Sequence, residues 1–382
     1  MIQRLIVLLT TLTVVLTPAA RADAGPLSIP TQPLEGLAPL SPPEISSETW
    51  LLWDDTFDRE LGALLPDEAR AMASTTKMMT ALVALEKSDL DDRVVISEAA
   101  TEIGESEIDL VPGEVWKMED LLRALLMRSA NDAAIAIAEF VGGTERGFVR
   151  MMNETADRLG LENTHFMNPH GLDEEGHYSS ARDLLTIALT GMEYPTFADI
   201  VGTRSSTFPN APDGQERVAS TTNALLGTFE GAIGVKTGFT NEAKLTMVAA
   251  AERDGRRLYA VVMGSNDHFA DAAALLRYGY SAFGLLNVVA VGQVVASQRG
   301  PGGTTDAIAN AGLEYFASAE DAGEVDLVIE YSDGGDPLVV AEVGMEEIGR
   351  VGLELTEPDS LPGLGEAFSW ASAYWDWLWG ND

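Results

Sequence analysis

The spacing of apolar positions changes several times along this chain, and each change marks an element. Residues 5–16 are uncharged and mostly apolar, follow Arg4, and precede two small-x-small sites, Ala20-Arg21-Ala22 and Ala22-Asp23-Ala24. That order predicts an export signal at 1–24, too short to span a bilayer; a short N-terminal anchor is the alternative. A proline-rich stretch from Leu27 to Pro43 reads as a linker over 25–44. Glu48 to Asp54 reads as a strand. Met78, Met79, Leu82 and Leu85 then recur at helical spacing, predicting a helix from Ser74 to Leu85 with one broad apolar face.

Further helices are predicted over Glu119–Met127 and from Asn131 to Gly142-Gly143. Thr144 can cap the next, which buries Phe148, Met152 and Leu159 and stops at Gly160. Ser180 and Asp183 form a capping box for another. The period then shortens to two. Ile233–Phe239, Leu245–Ala251 and Leu258–Met263 read as strands, with Asp254-Gly255 as a hairpin turn. Asp271–Phe283 returns to helical spacing. Val288–Val295, Val325–Tyr331 and Val351–Leu355 read as strands separated by Gly, Pro and acidic turns. The order predicts an α+β body over 45–286, a small all-β domain over 287–362 and a separate tail over 363–382.

Composition narrows the function. Hydrophobic residues make up 46% of 382 positions, enough for a sizeable core. No cysteine is present, which excludes disulfides, thiolate metal sites and cysteine-linked lipid. With 24 basic and 60 acidic residues, the net charge of −36 repels nucleic acid and adds solubility, but it does not identify the function.

Three short motifs carry candidate chemistry. Ser74-Thr75-Thr76-Lys77 places a hydroxyl and an amine at i and i+3 on one helical face. Serine is a weak nucleophile that needs a base, and lysine becomes one when burial and a second cation lower its pKa. Ser129-Ala130-Asn131 follows 55 residues on, between two helices, where Ser129 can relay a proton and Asn131 can orient Lys77 and bind a substrate amide. Lys236-Thr237-Gly238 lies 107 residues further, in a strand. Its glycine permits close backbone approach by an extended peptide, and its lysine and threonine can hold a carboxylate. Singly, each motif also suits ordinary surface or capping residues. Together, in this order and context, they form the trio of penicillin-binding proteins and class A β-lactamases.

On these motifs the chain resembles the D-alanyl-D-alanine carboxypeptidases, the low-molecular-mass penicillin-binding proteins. "ASTTKMMTAL" at 73–82, "LLMRSANDAAIAIAE" at 125–139, "NTHFMNPHGLD" at 163–173, "GHYSSARDL" at 176–184, "GAIGVKTGFT" at 231–240, "RDGRRLYAVVMG" at 253–264 and "LLRYGY" at 275–280 carry the similarity, with a looser match at 337–349. The resemblance implies a penicillin-recognising serine transferase domain, a helical cluster plus antiparallel sheet, followed by the β domain. It implies Ser74 as nucleophile, Lys77 as base and Ser129 as proton relay. It implies Asn131, Lys236, Thr237, Gly238 and Phe239 as substrate-binding positions, with the N–H groups of Ser74 and Phe239 as an oxyanion hole. The implied substrates are peptidoglycan stem peptides, with β-lactam antibiotics as inhibitors and neither cofactor nor metal required. One departure stands out: Ala243-Lys244-Leu245 occupies the place where the family commonly has Ala-Gly and an aromatic residue.

Rival readings have less support in the residues. A class A β-lactamase needs a deacylating glutamate in a Glu-x-x-Leu-Asn run, and Asn168-Pro169-His170-Gly171-Leu172 stands in that region instead. A D,D-endopeptidase of the same family is a second rival, and a non-catalytic wall-binding scaffold a third. Neither His165, His170, His177 nor His268 lies in a triad or His-Glu-x-x-His motif. The tail holds Phe368, Trp370, Tyr374, Trp375, Trp377, Leu378 and Trp379 around a narrow stripe of Ser369, Ser372 and Asp376. It predicts an amphipathic helix at the outer face of the cytoplasmic membrane, in the periplasm. Its lack of basic residues fits the alternative, a helix packed on the protein itself.

Overall fold

A computed structural model describes residues 5–7 and 41–356, apart from 301, 302, 323, 333 and 334. Ser41–Tyr280 forms one compact unit, and the described residues from Ser281 onward belong to another.

The first unit is a helical cluster against a five-stranded antiparallel sheet. Its strand order is Arg59–Leu64, Thr49–Asp54, Arg256–Ser265, Lys244–Arg253, Ala232–Thr240. Val248, Ala250, Val261 and Met263 give this sheet an apolar face within the main core. The turn between the second and third of the long strands is Asp254-Gly255, both residues at positive φ, as an Asp-Gly hairpin requires. Lys236 pairs with Val248 and Gly238 with Thr246, so the Lys-Thr-Gly motif lies on an edge strand.

The serine helix differs from its expected form in two ways. Residues Ala73–Thr76 make a 3-10 turn and the α-helix proper is Lys77–Lys87. The helix is not amphipathic in its setting: Met78, Met79, Ala81, Leu82, Val83 and Ala84 are all fully buried. It runs through the middle of the helical cluster, so every face needs apolar cover. The segment Met118–Arg123 is α-helical but ends in a π-helical turn, Ala124–Arg128, closed by Ser129 at φ 65°. Thr144 caps Glu145–Leu159 by accepting from the Gly147 N–H, and Ser180 caps Ala181–Met192 by accepting from the Asp183 N–H.

Elements absent from the expected order are the strand Arg59–Leu64, the helix Pro195–Gly202, and the hairpins Arg93–Val95/Val115–Lys117 and Ser205–Phe208/Arg217–Ser220. The hairpin strands have three or four residues, too few for an alternating pattern to show.

In the second unit one sheet runs Val325–Tyr331, Pro337–Val343, Glu346–Leu355, Gly303–Ala309, Val294–Gly300, and Phe283–Val289 pairs with Leu313–Ser318. Val289, Val295, Ala309, Val339, Ala341 and Val351 supply its core. The single strand expected over Val288–Val295 is two strands joined by a turn, where Gly292 sits at φ 76°. Leu5–Val7, within the segment read as an export signal, pairs antiparallel with Leu327–Ile329 at the edge of this sheet. An edge strand leaves backbone groups unpaired, and an apolar extended segment satisfies them. The expected tail helix lies outside the described residues.

Candidate active site

Between Met72 and Ala84 every residue is buried except Ser74. The chain reaches it through Ala73, at φ 49°, a left-handed conformation that costs a non-glycine residue about 1 kcal/mol and turns Ser74 out of the helix line. Three residues on, Lys77 is fully buried. Its Nζ lies 3.0 Å from Ser74 Oγ, 2.7 Å from Asn131 Oδ1 and 2.5 Å from the His170 carbonyl oxygen. Burial holds the Lys77 pKa well below the ordinary lysine value, and the charge of Lys236 lowers it further, against a smaller upward pull from Glu105 and Asp132.

A neutral amine has two N–H bonds and one lone pair. Asn131 Oδ1 and His170 O are acceptors only, so they take the two N–H bonds. In that neutral form the lone pair faces Ser74 Oγ, whose hydroxyl can donate to it; the protonated amine donates to Ser74 Oγ instead. The geometry sets a serine hydroxyl within hydrogen-bond reach of a buried amine on its own turn.

Asn131 begins a helix and is itself 2% exposed. Its Nδ2 donates to the Gly104 carbonyl at 3.0 Å, which fixes Oδ1 toward Lys77 and leaves one N–H over. The next residue, Asp132, anchors the same turn by accepting from the N–H groups of Ile108, Leu110 and Ala133. Burial raises its carboxyl pKa, against those hydrogen bonds.

Lys236 is not an exposed edge lysine: it is 1% exposed, and Nζ donates to Ser129 Oγ at 3.0 Å and to the Thr237 carbonyl at 2.8 Å. Burial pushes its pKa down to about 7. Thr237 Oγ1 pairs with Thr222 Oγ1 at 2.7 Å. A Cβ on Gly238 would sit 2.9 Å from Ser74 N and 3.0 Å from Ala73 Cβ, so the strand passes against the serine turn only because this residue has no side chain. Phe239, next along, is 61% exposed.

The fold therefore brings seven of the eight sequence-predicted positions together through two linked sets, Ser74, Lys77 and Asn131, and Ser129, Lys236 and Thr237, joined where Gly238 meets the serine turn; Phe239 follows Gly238 on the same strand. The sequence reading missed the supporting loop at 167–177. Thr80 Oγ1 donates to the Pro169 carbonyl at 2.6 Å, and the His170 carbonyl holds Lys77. Asn168 Oδ1 accepts from the Gly171 N–H at 2.7 Å and fixes the loop's turn. His170 and His177 are buried, and desolvation above all lowers their pKa values to about 3 and about 4, so both rings are neutral at pH 7. The departure at Lys244 is also placed: it takes φ 58° after the edge strand and ion-pairs with Glu48, which also pairs with Arg70.

A helical cluster on an antiparallel sheet, with a serine and a buried lysine on one turn, defines the class of penicillin-recognising serine enzymes. Residues 38–267 match the family described as D-alanyl-D-alanine carboxypeptidase, and the chain belongs to it. It is similar to D-alanyl-D-alanine carboxypeptidase DacF of Bacillus subtilis, 37% identical over 59% of this chain and 61% of that protein. It thus spans somewhat under two thirds of that relative. The similarity to DacA of Haemophilus influenzae is 30% and covers 89% of this chain and 90% of the other. Among solved structures, the Streptomyces K15 DD-transpeptidase superposes with a TM-score of 0.60 at 33% identity, over 63% of this chain and 99% of its own. The D-alanyl-D-alanine carboxypeptidase of Mycobacterium tuberculosis gives 0.60 at 35%, over 65% and 95%.

Proposed function

We propose that this chain is a serine-type carboxypeptidase that removes the terminal D-alanine from peptidoglycan stem pentapeptides and is inhibited by β-lactams. The observation that carries the reading is the buried Lys77 amine, which lies 3.0 Å from Ser74 Oγ and is held there by Asn131 Oδ1 and the His170 carbonyl oxygen.

Ser74 Oγ attacks the carbonyl carbon between the two D-alanines while Lys77 takes the hydroxyl proton. The oxyanion sits between the Ser74 and Phe239 N–H groups, on two backbones that Gly238 brings together. As the C–N bond breaks, the proton passes through Ser129 to the departing amine, and D-alanine leaves. Water then attacks the ester, loses its proton to Lys77, and frees the shortened peptide and Ser74. Asn131 offers its remaining N–H to the peptide. Thr237 and Ser129 meet the terminal carboxylate, with the Lys236 charge behind them.

The enzyme works outside the cytoplasmic membrane, exported by the segment 1–24 and held to the membrane's outer face by the tail 363–382. No helix among the described residues is long and apolar enough to cross a membrane. The domain reading, with catalysis in 45–286 and a β domain in 287–362, belongs to the same proposal.

Incubation with a pentapeptide, a crosslinked dimer and a penicillin, followed by mass spectrometry, tests the activity. The expected products are free D-alanine with tetrapeptide, and a lasting penicilloyl adduct. Cleavage of the dimer alone would make the chain an endopeptidase, and rapid turnover of penicillin a β-lactamase.

A further inference from the structure

We infer that His177 is a positioning residue that sets the serine turn through the hydroxyl of Thr76, an inference that rests on Ser74 being the nucleophile. His177 lies more than a hundred residues from the motif it would serve, is 6% exposed, and has no part in the steps above.

The hydrogen-bond directions can be assigned one after another. The Met167 N–H donates to His177 Nδ1 at 3.0 Å, so Nδ1 carries no proton. The ring is neutral, so Nε2 carries it. Nε2 lies 2.8 Å from Thr76 Oγ1 and donates to it. Thr76 then spends its own hydroxyl proton on the Ala73 carbonyl oxygen, also at 2.8 Å. The chain runs from the Met167 N–H through His177 and Thr76 to Ala73 O, with one proton per link.

Its end point is the residue whose unfavourable backbone presents Ser74. Ala73 holds φ 49° between Met72 and the partly exposed serine. Its carbonyl oxygen lies so close to Gly171 that a Cβ there would be 2.1 Å away. Gly171 closes one side of that carbonyl and Thr76 binds it. Without the ring N–H, the Thr76 hydroxyl is free to rotate, and its bond to Ala73 O loses its fixed direction. Phe166, fully buried, meets the His177 ring edge-on with centroids 6.0 Å apart and sets the ring plane. The position therefore needs a donor at the Nε2 point and an acceptor at the Nδ1 point, which defines imidazole more narrowly than packing does.

The test follows the acylation rate constant of the full chain with a fluorescent penicillin, alongside thermal unfolding. His177→Asn keeps an acceptor near Nδ1 and loses the donor; it is expected to acylate about tenfold more slowly, the effect of one lost orienting hydrogen bond. His177→Gln restores a donor near Nε2 and should return to within about threefold of the wild type. In a Thr76→Val background His177→Asn should cost nothing more, because no hydroxyl remains to orient. A general structural role predicts otherwise: the His177→Asn factor would persist in Thr76→Val, and His177→Gln would not rescue. Either result, or wild-type acylation by His177→Asn, overturns the inference. Should His177→Asn not fold, Thr76→Val against Thr76→Ser carries the same test, with loss and rescue expected in that order; equal rates in the two overturn it. If the wild type itself is not acylated at Ser74, it is the proposed function that fails.

Discussion

Replacing Lys236 by methionine separates the two tasks assigned to this buried cation. Its Nζ reaches Ser129 Oγ at 3.0 Å, and in the proposed complex the substrate carboxylate on Ser129 lies one more hydrogen bond away. At about 5.5 Å and an effective dielectric of about 20, two unit charges attract by about 3 kcal/mol. Lys236→Met should therefore lower kcat/KM for a peptide ending in D-Ala-D-Ala by about a hundredfold at neutral pH.

The pH dependence has a definite sign. In the proposed mechanism Lys77 works as a neutral base, so activity rises as pH rises through its pKa. Burial lowers that pKa most, and the Lys236 charge lowers it further. Removing the charge raises it, which moves the acid limb of the profile to higher pH. Lys236 itself loses its charge as pH passes about 7 in the free enzyme. Both effects make the penalty of Lys236→Met largest in mild acid and smaller in base. The assay is D-alanine release from pH 5.5 to 9 with the free-acid peptide, and peptide-bond cleavage of its C-terminal amide over the same range. The wild type should discriminate strongly between acid and amide, and the variant weakly. If the amide is cleaved as fast as the acid, or the variant loses the same factor on both, Lys236 does not act on the carboxylate.

Gly171→Ala places a Cβ against Ala73 O at a residue with φ 90°; we expect at least about 2 kcal/mol lower stability and slower penicillin labelling, read by denaturant midpoint and gel. Arg217→Met leaves the mostly buried Glu114 without its ion-pair partner; a loss of about 3 kcal/mol should appear as a lower Tm, and an unchanged Tm contradicts the pairing. Truncation before Phe368 should release an active soluble enzyme, while the full chain sediments with liposomes in high salt. A full chain that stays soluble and a truncated one that misfolds would assign the tail to the protein's own core.

How much of this was legible in the sequence depends on range. Ser74 and Lys77 are one helical turn apart, so their meeting follows from spacing alone. Thr144 and Ser180 could be read as caps because a cap involves only the next turn. The strands around Asp254-Gly255 were legible because a two-residue turn fixes their register. By contrast, the carbonyl of His170 holds Lys77 across 93 residues, and a backbone acceptor leaves no mark in composition. The burial of Lys236 was hidden for the same reason: an edge strand reads as exposed until Ser129 is placed over it. Ser129 at φ 65° and Ala73 at φ 49° are conformations that glycine usually signals, and neither position has one. His177 lies in no sequence motif because its partners, Met167 and Thr76, come from two separate segments.

The most direct measurement is the mass and position of the covalent adduct. Full-length protein incubated with benzylpenicillin, then digested and mapped, should carry one penicilloyl group on the peptide containing Ser74. Ser74→Ala should be folded by circular dichroism and carry none. Stoichiometric labelling of Ser74→Ala, or an adduct mapped to another residue in the wild type, would contradict the assignment of Ser74 as the nucleophile.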